Sequence, residues 1–133
     1  MDEDDNLKPE FSDAVFSGPE PGEGWPESFA IVTACNPDGV NAVDAANVAA
    51  NEELEAAVRD AALSYSPMAG GSWDGSHVEP GFLVLCDLET TLELGRRFSQ
   101  EAVFWIEAGR LHLVACSGGA RVELGAWQDR LRQ

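Results

Sequence analysis

Residues 29–39 read Phe-Ala-Ile-Val-Thr-Ala-Cys-Asn-Pro-Asp-Gly, and this stretch decides the fold because the chain first becomes continuously apolar there. Valine, isoleucine and phenylalanine favour β-strands, whereas Asn-Pro-Asp-Gly is typical of a turn. The stretch therefore predicts a buried strand that leads directly into a loop.

Two helices are predicted beyond this strand. Residues 44–63 carry apolar side chains at near-helical spacing, with Asp44 as the expected N-cap. Asp87 is the expected N-cap of a second helix, in which Gly95 would allow a close approach to a sheet. Both helices therefore have an apolar side that needs a sheet to cover it.

The remaining apolar runs predict short strands, at residues 63–68, 81–86, 102–106 and 111–116. The last two flank Glu-Ala-Gly-Arg at 107–110, which indicates an antiparallel hairpin. Residues 69–80 contain three glycines and predict a loop, and residues 117–133 predict a turn followed by a short helix.

This order of elements predicts an α+β fold, in which two main helices cover one side of a mostly antiparallel sheet to form a two-layer single domain over residues 28–133. Residues 1–27 are predicted to be an acidic, proline-rich arm, either disordered or docked. Phe11, Val15 and Phe16 form an apolar cluster in that arm, and we expect it to dock onto its own domain.

Charge is unevenly distributed along the chain. Of the 24 Asp and Glu residues, 15 lie within residues 1–60, together with Lys8 and Arg59 as the only Lys or Arg, and the formal net charge of the chain is −16. Such a surface repels nucleic-acid phosphates and anionic membranes, so direct binding to either is not expected. The acidic start and the absence of an apolar run near ~20 residues predict a soluble, cytoplasmic protein.

Three segments resemble a family of short bacterial proteins classified as a domain of unknown function, number 3293. They are FAIVTACNPDG at 29–39, HVEPGFLVL at 77–85 and GRRFSQEAVFW at 95–105, and the similarity spans about residues 28–116. The resemblance implies a compact domain and supplies no activity. The family pattern favours an aromatic residue where this chain has Cys35, which argues against Cys35 as a shared nucleophile.

Polar residues within these segments are the best candidates for a site. Asn36 follows a strand, His77 and Glu79 precede one, and Gln100 lies between a helix and a strand. Residues 77 and 79 face the same way in an extended chain, so the carboxylate could orient the imidazole as an acid–base pair. A structural interpretation stays open, in which these side chains brace loops and satisfy backbone groups.

Other site chemistry has less support. Trp73, in the glycine-rich loop, is a candidate aromatic anchor for a ligand or partner. His77, His112 and the three cysteines, Cys35, Cys86 and Cys116, lack the spacing of a zinc motif. We therefore predict no metal and no cofactor, and we expect the cysteines to be reduced thiols.

Two functions follow from these features. The first is a noncatalytic binding or regulatory protein that engages a basic protein surface, in its strongest form by mimicking nucleic acid; its contact candidates lie on the first helix and are Glu52, Glu53, Glu55 and Asp60. The alternative is a small enzyme or ligand-binding domain with a polar cleft, built around Asn36, His77, Glu79 and Gln100. The absence of a nucleophile motif favours the noncatalytic function.

Overall fold

A computed structural model describes residues 13–37 and 40–132. In chain order, its elements are β1 (Val15–Ser17), β2 (Ser28–Val32), α1 (Asp44–Asp60), β3 (Tyr65–Pro67), β4 (Ala69–Gly71), β5 (Val78–Glu79), β6 (Phe82–Val84), α2 (Leu88–Arg97), β7 (Ala102–Glu107), β8 (Arg110–Ala115), β9 (Arg121–Ala126) and a 3-10 helix (Trp127–Arg130).

The strands form two antiparallel sheets. The large sheet has the order β3-β6-β2-β7-β8-β9, and the small sheet has the order β1-β4-β5. With α1 and α2, this arrangement confirms the predicted α+β class and the antiparallel pairing, although one sheet was expected and the chain forms two. The predicted hairpin is also confirmed, since β7 pairs with β8 from Ala102↔Ala115 to Glu107↔Arg110.

One face of the large sheet packs against the helices. Ala30 and Val32 on β2 and Trp105 on β7 belong to the same buried cluster as Leu54 of α1 and Leu94 of α2. Helix α2 comes very close to the sheet at Gly95, where a Cβ would lie 2.5 Å from the Cys116 Sγ and 2.8 Å from the Val103 Cγ1. The glycine is therefore required for this packing distance.

The opposite face of the large sheet is also apolar. Phe29 and Ile31 alternate with the helix-facing residues of β2 and join a second buried cluster with Phe16 of β1 and Trp127. The Phe16 ring meets the Phe104 ring edge to face, with centroids 4.9 Å apart. Burying one such side chain contributes about 1.5–3 kcal/mol, so the small sheet stabilises the domain substantially.

The prediction of a loop over residues 69–80 is wrong, because β4 and β5 form there and pair with each other. Glycine is normally unfavourable in strands, but here neighbouring segments of the chain come too close to leave room for a side chain. A Cβ on Gly71 would overlap the His77 carbonyl oxygen, and one on Gly70 would lie 3.2 Å from the Phe16 ring.

Two other details differ from the predictions. Strand β9 forms within residues 117–133, which were predicted to hold only a turn and a short helix; the short helix is present as the 3-10 helix. In β9, Arg121 and Glu123 alternate with apolar neighbours, a pattern that is typical of an edge strand. Asp44 is the first residue of α1 and not its N-cap. The N-cap is Val43, whose side chain makes no capping hydrogen bond. Asp87 caps α2 as predicted.

Part of the predicted arm lies within the packed structure. Val15 and Phe16 are buried on β1, and Trp25 stacks on Phe29 with ring centroids 5.8 Å apart. Phe11 lies outside the described residues. A deletion of residues 1–27 would thus remove β1 and Trp25 from the core.

None of the helices in the described residues is long and apolar enough to span a membrane.

Candidate functional site

A cavity of about 400 Å³ lies between the small sheet and the large sheet, and we call it the inter-sheet cavity. Its walls come from β1, β2, β4, β5 and β7 and from the loops next to them. The 18 lining residues are Ala14, Phe16, Ile31, Thr33, Cys35, Asn36, Asn41, Met68, Gly70, Gly71, Ser72, His77, Glu79, Gly81, Gln100, Glu101, Ala102 and Phe104.

The inter-sheet cavity is lined by two kinds of surface. Phe16, Ile31, Met68 and Phe104 also belong to or pack on the second core cluster, so they give the cavity an apolar floor. Polar side chains come from the segment that follows β2, from β5 and the segment that connects it to β4, and from the segment that precedes β7. An apolar interior with a few convergent polar groups is typical of a small-molecule site.

His77 and Glu79 form a hydrogen-bonded pair in the wall of the cavity. The His77 Nε2 lies 2.9 Å from the Glu79 Oε2, so the contact expected from their two-residue spacing forms. The His77 side chain is 53% exposed and that of Glu79 is 26% exposed, which leaves both in reach of solvent. When the Nε2–H donates to Glu79, the Nδ1 of neutral His77 is free to accept a proton.

Asn36 and Gln100 line the same cavity but also hold the chain in place. The Asn36 Oδ1 accepts hydrogen bonds from the Ala42 amide at 2.9 Å and from the Asn47 Nδ2 at 3.1 Å. The Gln100 Nε2 donates to the Cys35 carbonyl oxygen at 3.0 Å. The structural interpretation of these two amides is therefore correct in part, although both remain at the cavity wall.

Asn51, together with Asn47 one turn earlier on α1, contributes to the site although the sequence did not single these residues out. The Asn51 Oδ1 accepts from the Ala34 amide at 2.9 Å, and its Nδ2 donates to the Pro80 carbonyl oxygen at 3.0 Å. Asn51 thus joins the end of β2 to the loop that follows β5. Asn47 and Asn51 stand at i and i+4 on a helix, and this spacing was the signal by which the sequence could have singled them out.

Cys35 lines the cavity as a buried thiol. Burial raises the pKa of Cys35, hydrogen bonds to Thr33 and Asn51 act in the opposite direction, and the Glu79 carboxylate adds to the increase. Its Sγ lies 3.6 Å from the Pro80 carbonyl oxygen and 3.3 Å from the Asn51 Nδ2. A protonated thiol in this setting is a poor nucleophile.

A model of the family described as protein of unknown function (DUF3293) matches residues 32–103, a little over half of the chain. The chain belongs to the DUF3293 family. No curated protein and no solved structure matches it. The matched segment of this DUF3293 protein contains Asn36, His77, Glu79 and Gln100, whereas Phe16 and Phe104 of the cavity floor lie outside it.

The other candidate residues lie elsewhere on the DUF3293 domain. Trp73 is absent from the cavity lining; it is 62% exposed, and the Arg132 guanidinium lies 4.0 Å from its ring centroid. On α1, Glu52, Glu53 and Asp60 are exposed. Within the described ranges, no group of three or more His, Cys, Asp and Glu side chains is placed to hold a metal ion.

The Asn51→Ala substitution should lower the free energy of unfolding by about 1–2 kcal/mol. Loss of the contacts to Ala34 and Pro80 costs about 1–3 kcal/mol, and the higher helix propensity of alanine offsets about 0.5 kcal/mol of this. Urea denaturation measures the change. Asn41→Ala, at an exposed position of the same cavity, is the control and should change stability by less than about 0.5 kcal/mol. Equal stability of both variants would show that Asn51 does not fix the cavity wall.

Proposed function

We propose that this DUF3293 protein binds a small organic molecule in the inter-sheet cavity. The observation that carries the proposal is the convergence of Asn36, His77, Glu79 and Gln100 on one cavity with an apolar floor. These residues come from three separate segments of the chain, so their meeting is a property of the fold. The volume of about 400 Å³ is within the roughly 300–1,000 Å³ of small-molecule sites.

The two surfaces of the cavity suggest how a ligand would lie. Its apolar part would cover Phe16, Met68 and Phe104, where removal of apolar area from water supplies most of the binding energy. Its polar end would face His77 and Glu79, which are partly exposed and placed to hydrogen-bond with it. Such a division gives affinity from the floor and orientation from the polar wall.

Binding is better supported than covalent catalysis. The Cys35 thiol is buried with a raised pKa, and the Ser72 hydroxyl donates to the Asp74 Oδ1 at 2.9 Å instead of to the imidazole. A nucleophile normally lies within hydrogen-bond reach of its base. The His77–Glu79 pair thus has the geometry to orient a ligand or exchange a proton with it, and neither hydroxyl nor thiol is held ready beside it.

Filling the cavity should strongly weaken the binding of small neutral aryl alcohols, from benzyl alcohol to 3-phenylpropanol. Ala102 lines the cavity, so the larger side chain of Ala102→Leu would occupy the space that the ring needs. Calorimetric titration should give saturable binding, with dissociation constants in roughly the millimolar range, to the native protein. The affinity should fall at least tenfold in Ala102→Leu.

The matched control is Ala46→Leu, which adds the same side chain at an exposed position of α1. Ala46→Leu should bind the alcohols as the native protein does. Thermal unfolding of both variants separates a filled cavity from a lost fold. No saturable binding to the native protein, or equal binding to all three proteins, would contradict the proposed function.

We propose, as a second candidate function, that the exposed side of α1 engages a basic protein surface. Glu52, Glu53 and Asp60 are exposed, which supports this role. Glu55 contributes less, because its Oε2 lies 3.3 Å from the Arg59 guanidinium and accepts a hydrogen bond from the Tyr65 hydroxyl. Exposed carboxylates of one sign steer a cationic partner and make its association salt-sensitive.

Neutralising this side of α1 should weaken capture by an immobilised oligolysine peptide several-fold and reduce the salt dependence of capture. The test variant combines Glu52→Gln, Glu53→Gln and Asp60→Asn. A control variant combines Glu89→Gln, Glu93→Gln and Asp129→Asn, which removes the same charge at other exposed positions. Equal weakening by the two variants would show that only the overall charge matters and that α1 is no specific surface.

A further inference from the structure

Asn36 has a side-chain amide that is held in a fixed orientation in the wall of the inter-sheet cavity. Its Oδ1 accepts hydrogen bonds from the Ala42 amide and from the Asn47 Nδ2, so both lone pairs of the oxygen are used. Because a backbone N–H can only donate, the Asn36 atom that faces Ala42 is the oxygen and not the nitrogen. Within the described residues, the Asn36 Nδ2 donates to no acceptor and remains an unused donor.

Gln100 is held in the opposite sense. Its Nε2 donates to the carbonyl oxygens of Cys35 and Phe98, at 3.0 and 3.2 Å, so both N–H groups are used. Carbonyl oxygens only accept, which identifies the atom on this side as the nitrogen and places the Gln100 Oε1 on the other side. In the part of the chain that the structure describes, this Oε1 accepts no hydrogen bond and remains an unused acceptor.

The unused ends of these two amides are accessible. Both side chains line the cavity and are partly buried, yet neither atom is among the fully buried polar atoms without a partner in the described ranges. The Gln100 amide also lies against the peptide bond that joins Cys35 to Asn36, since it donates to the Cys35 carbonyl oxygen. One donor and one acceptor of fixed orientation are therefore tied to the same short piece of chain.

Other polar side chains of the wall restrict a ligand less. His77 is 53% exposed, and its imidazole donates or accepts according to its protonation. Asn41 is exposed and makes no hydrogen bond within the described residues, so no contact fixes which end of its amide faces the cavity. Asn36 and Gln100 are thus the amides whose orientation a ligand has to match.

We infer that the inter-sheet cavity selects small molecules that join an apolar, preferably aromatic, body to a neutral carboxamide. This inference rests on the proposed function and adds the chemical class of the ligand. The carboxamide oxygen accepts from the Asn36 Nδ2 and its N–H donates to the Gln100 Oε1, so one group satisfies both unused ends. The apolar body covers the floor of Phe16, Met68 and Phe104.

The test compares 3-phenylpropanamide with 4-phenylbutan-2-one, in which a methyl group replaces the amide nitrogen. Both probes are neutral and nearly identical in shape, so the charges of the cavity wall and the packing of the ring affect them almost equally. A third probe, 3-phenylpropanol, lacks the carbonyl group. Dissociation constants are measured by calorimetry with the native protein and with Asn36→Asp, Gln100→Met and Gln128→Glu.

Each variant changes one part of the arrangement. Asn36→Asp keeps an oxygen for the contacts with Ala42 and Asn47 and replaces only the unused Nδ2. Gln100→Met keeps the length of the side chain and removes the acceptor. Gln128→Glu is the charge control, because it adds the same charge as Asn36→Asp at an exposed position of the 3-10 helix. Thermal unfolding checks each fold, and if Gln100→Met loses its fold, the native protein and Asn36→Asp still test both hydrogen bonds.

We expect the native protein to bind the amide roughly fivefold more tightly than the ketone, as one additional net hydrogen bond would give. Gln100→Met should bring the ratio of amide to ketone affinity close to one. Asn36→Asp should weaken both carbonyl probes several-fold relative to the alcohol, because a carboxylate offers no N–H to a carbonyl oxygen, whereas the hydroxyl can donate to it. Gln128→Glu should leave the affinities for all the probes nearly unchanged.

Other outcomes separate the two proposals. If the alcohol binds saturably and the amide binds no more tightly than the ketone, the inference about the carboxamide is wrong and the proposed function stands. An amide preference that survives in folded Gln100→Met would also overturn the inference, as would carbonyl probes that bind Asn36→Asp and the native protein equally well. If none of the probes binds, both the inference and the proposed function are wrong.

Discussion

The structure depends on one constraint: the central strands of the large sheet are apolar on both faces. Ala30 and Val32 of β2 face the helices, whereas Phe29 and Ile31 face the small sheet. Removing both faces from water requires two covering layers, since each exposed Å² of apolar area costs about 25 cal/mol. The helices cover one face, and Gly95 allows α2 to approach that face closely. The small sheet, with strands of two or three residues, covers the other face and leaves the inter-sheet cavity.

Side-chain amides hold the walls of the inter-sheet cavity in place. Asn36 has a left-handed backbone with a φ of 49°, a conformation that asparagine tolerates better than most residues. Its side chain and that of Asn51 tie the end of β2 to α1 and to Pro80, while Gln100 holds Cys35 from the opposite side. These contacts fix the positions of the polar wall relative to the apolar floor. The same residues would thereby set the shape that a ligand meets.

Much of the fold could be predicted from the sequence because local patterns determined it. The buried strand at Phe29, the N-cap at Asp87 and the β7–β8 hairpin all rest on neighbouring residues. The small sheet could not be predicted in this way. Gly70 and Gly71 indicate a loop by local preference, and only the close approach of Phe16 and His77 in three dimensions explains glycines within a strand.

The candidate site shows the same division between local and long-range information. The spacing of His77 and Glu79 was sufficient to predict their contact, since it depends on two residues of one extended segment. Asn51 escaped notice because its partners, Ala34 and Pro80, are distant in sequence. Trp73 was a reasonable aromatic candidate by composition, but it lies between β4 and β5 and is absent from the cavity lining, and its ring contacts Arg132 instead. On α1, Glu52, Glu53 and Asp60 are exposed, whereas Glu55 is held by Arg59 and Tyr65.

The measurement that tests the central claim most directly is the methyl NMR signal of Met68, which lies on the cavity floor and is 1% exposed. The chain contains two methionines, so methyl labelling gives a simple spectrum that Met68→Leu assigns. If the inter-sheet cavity admits small molecules, the Met68 signal should shift saturably as 3-phenylpropanol is added. A Met68 signal that stays in place while the alcohol binds elsewhere would contradict the account.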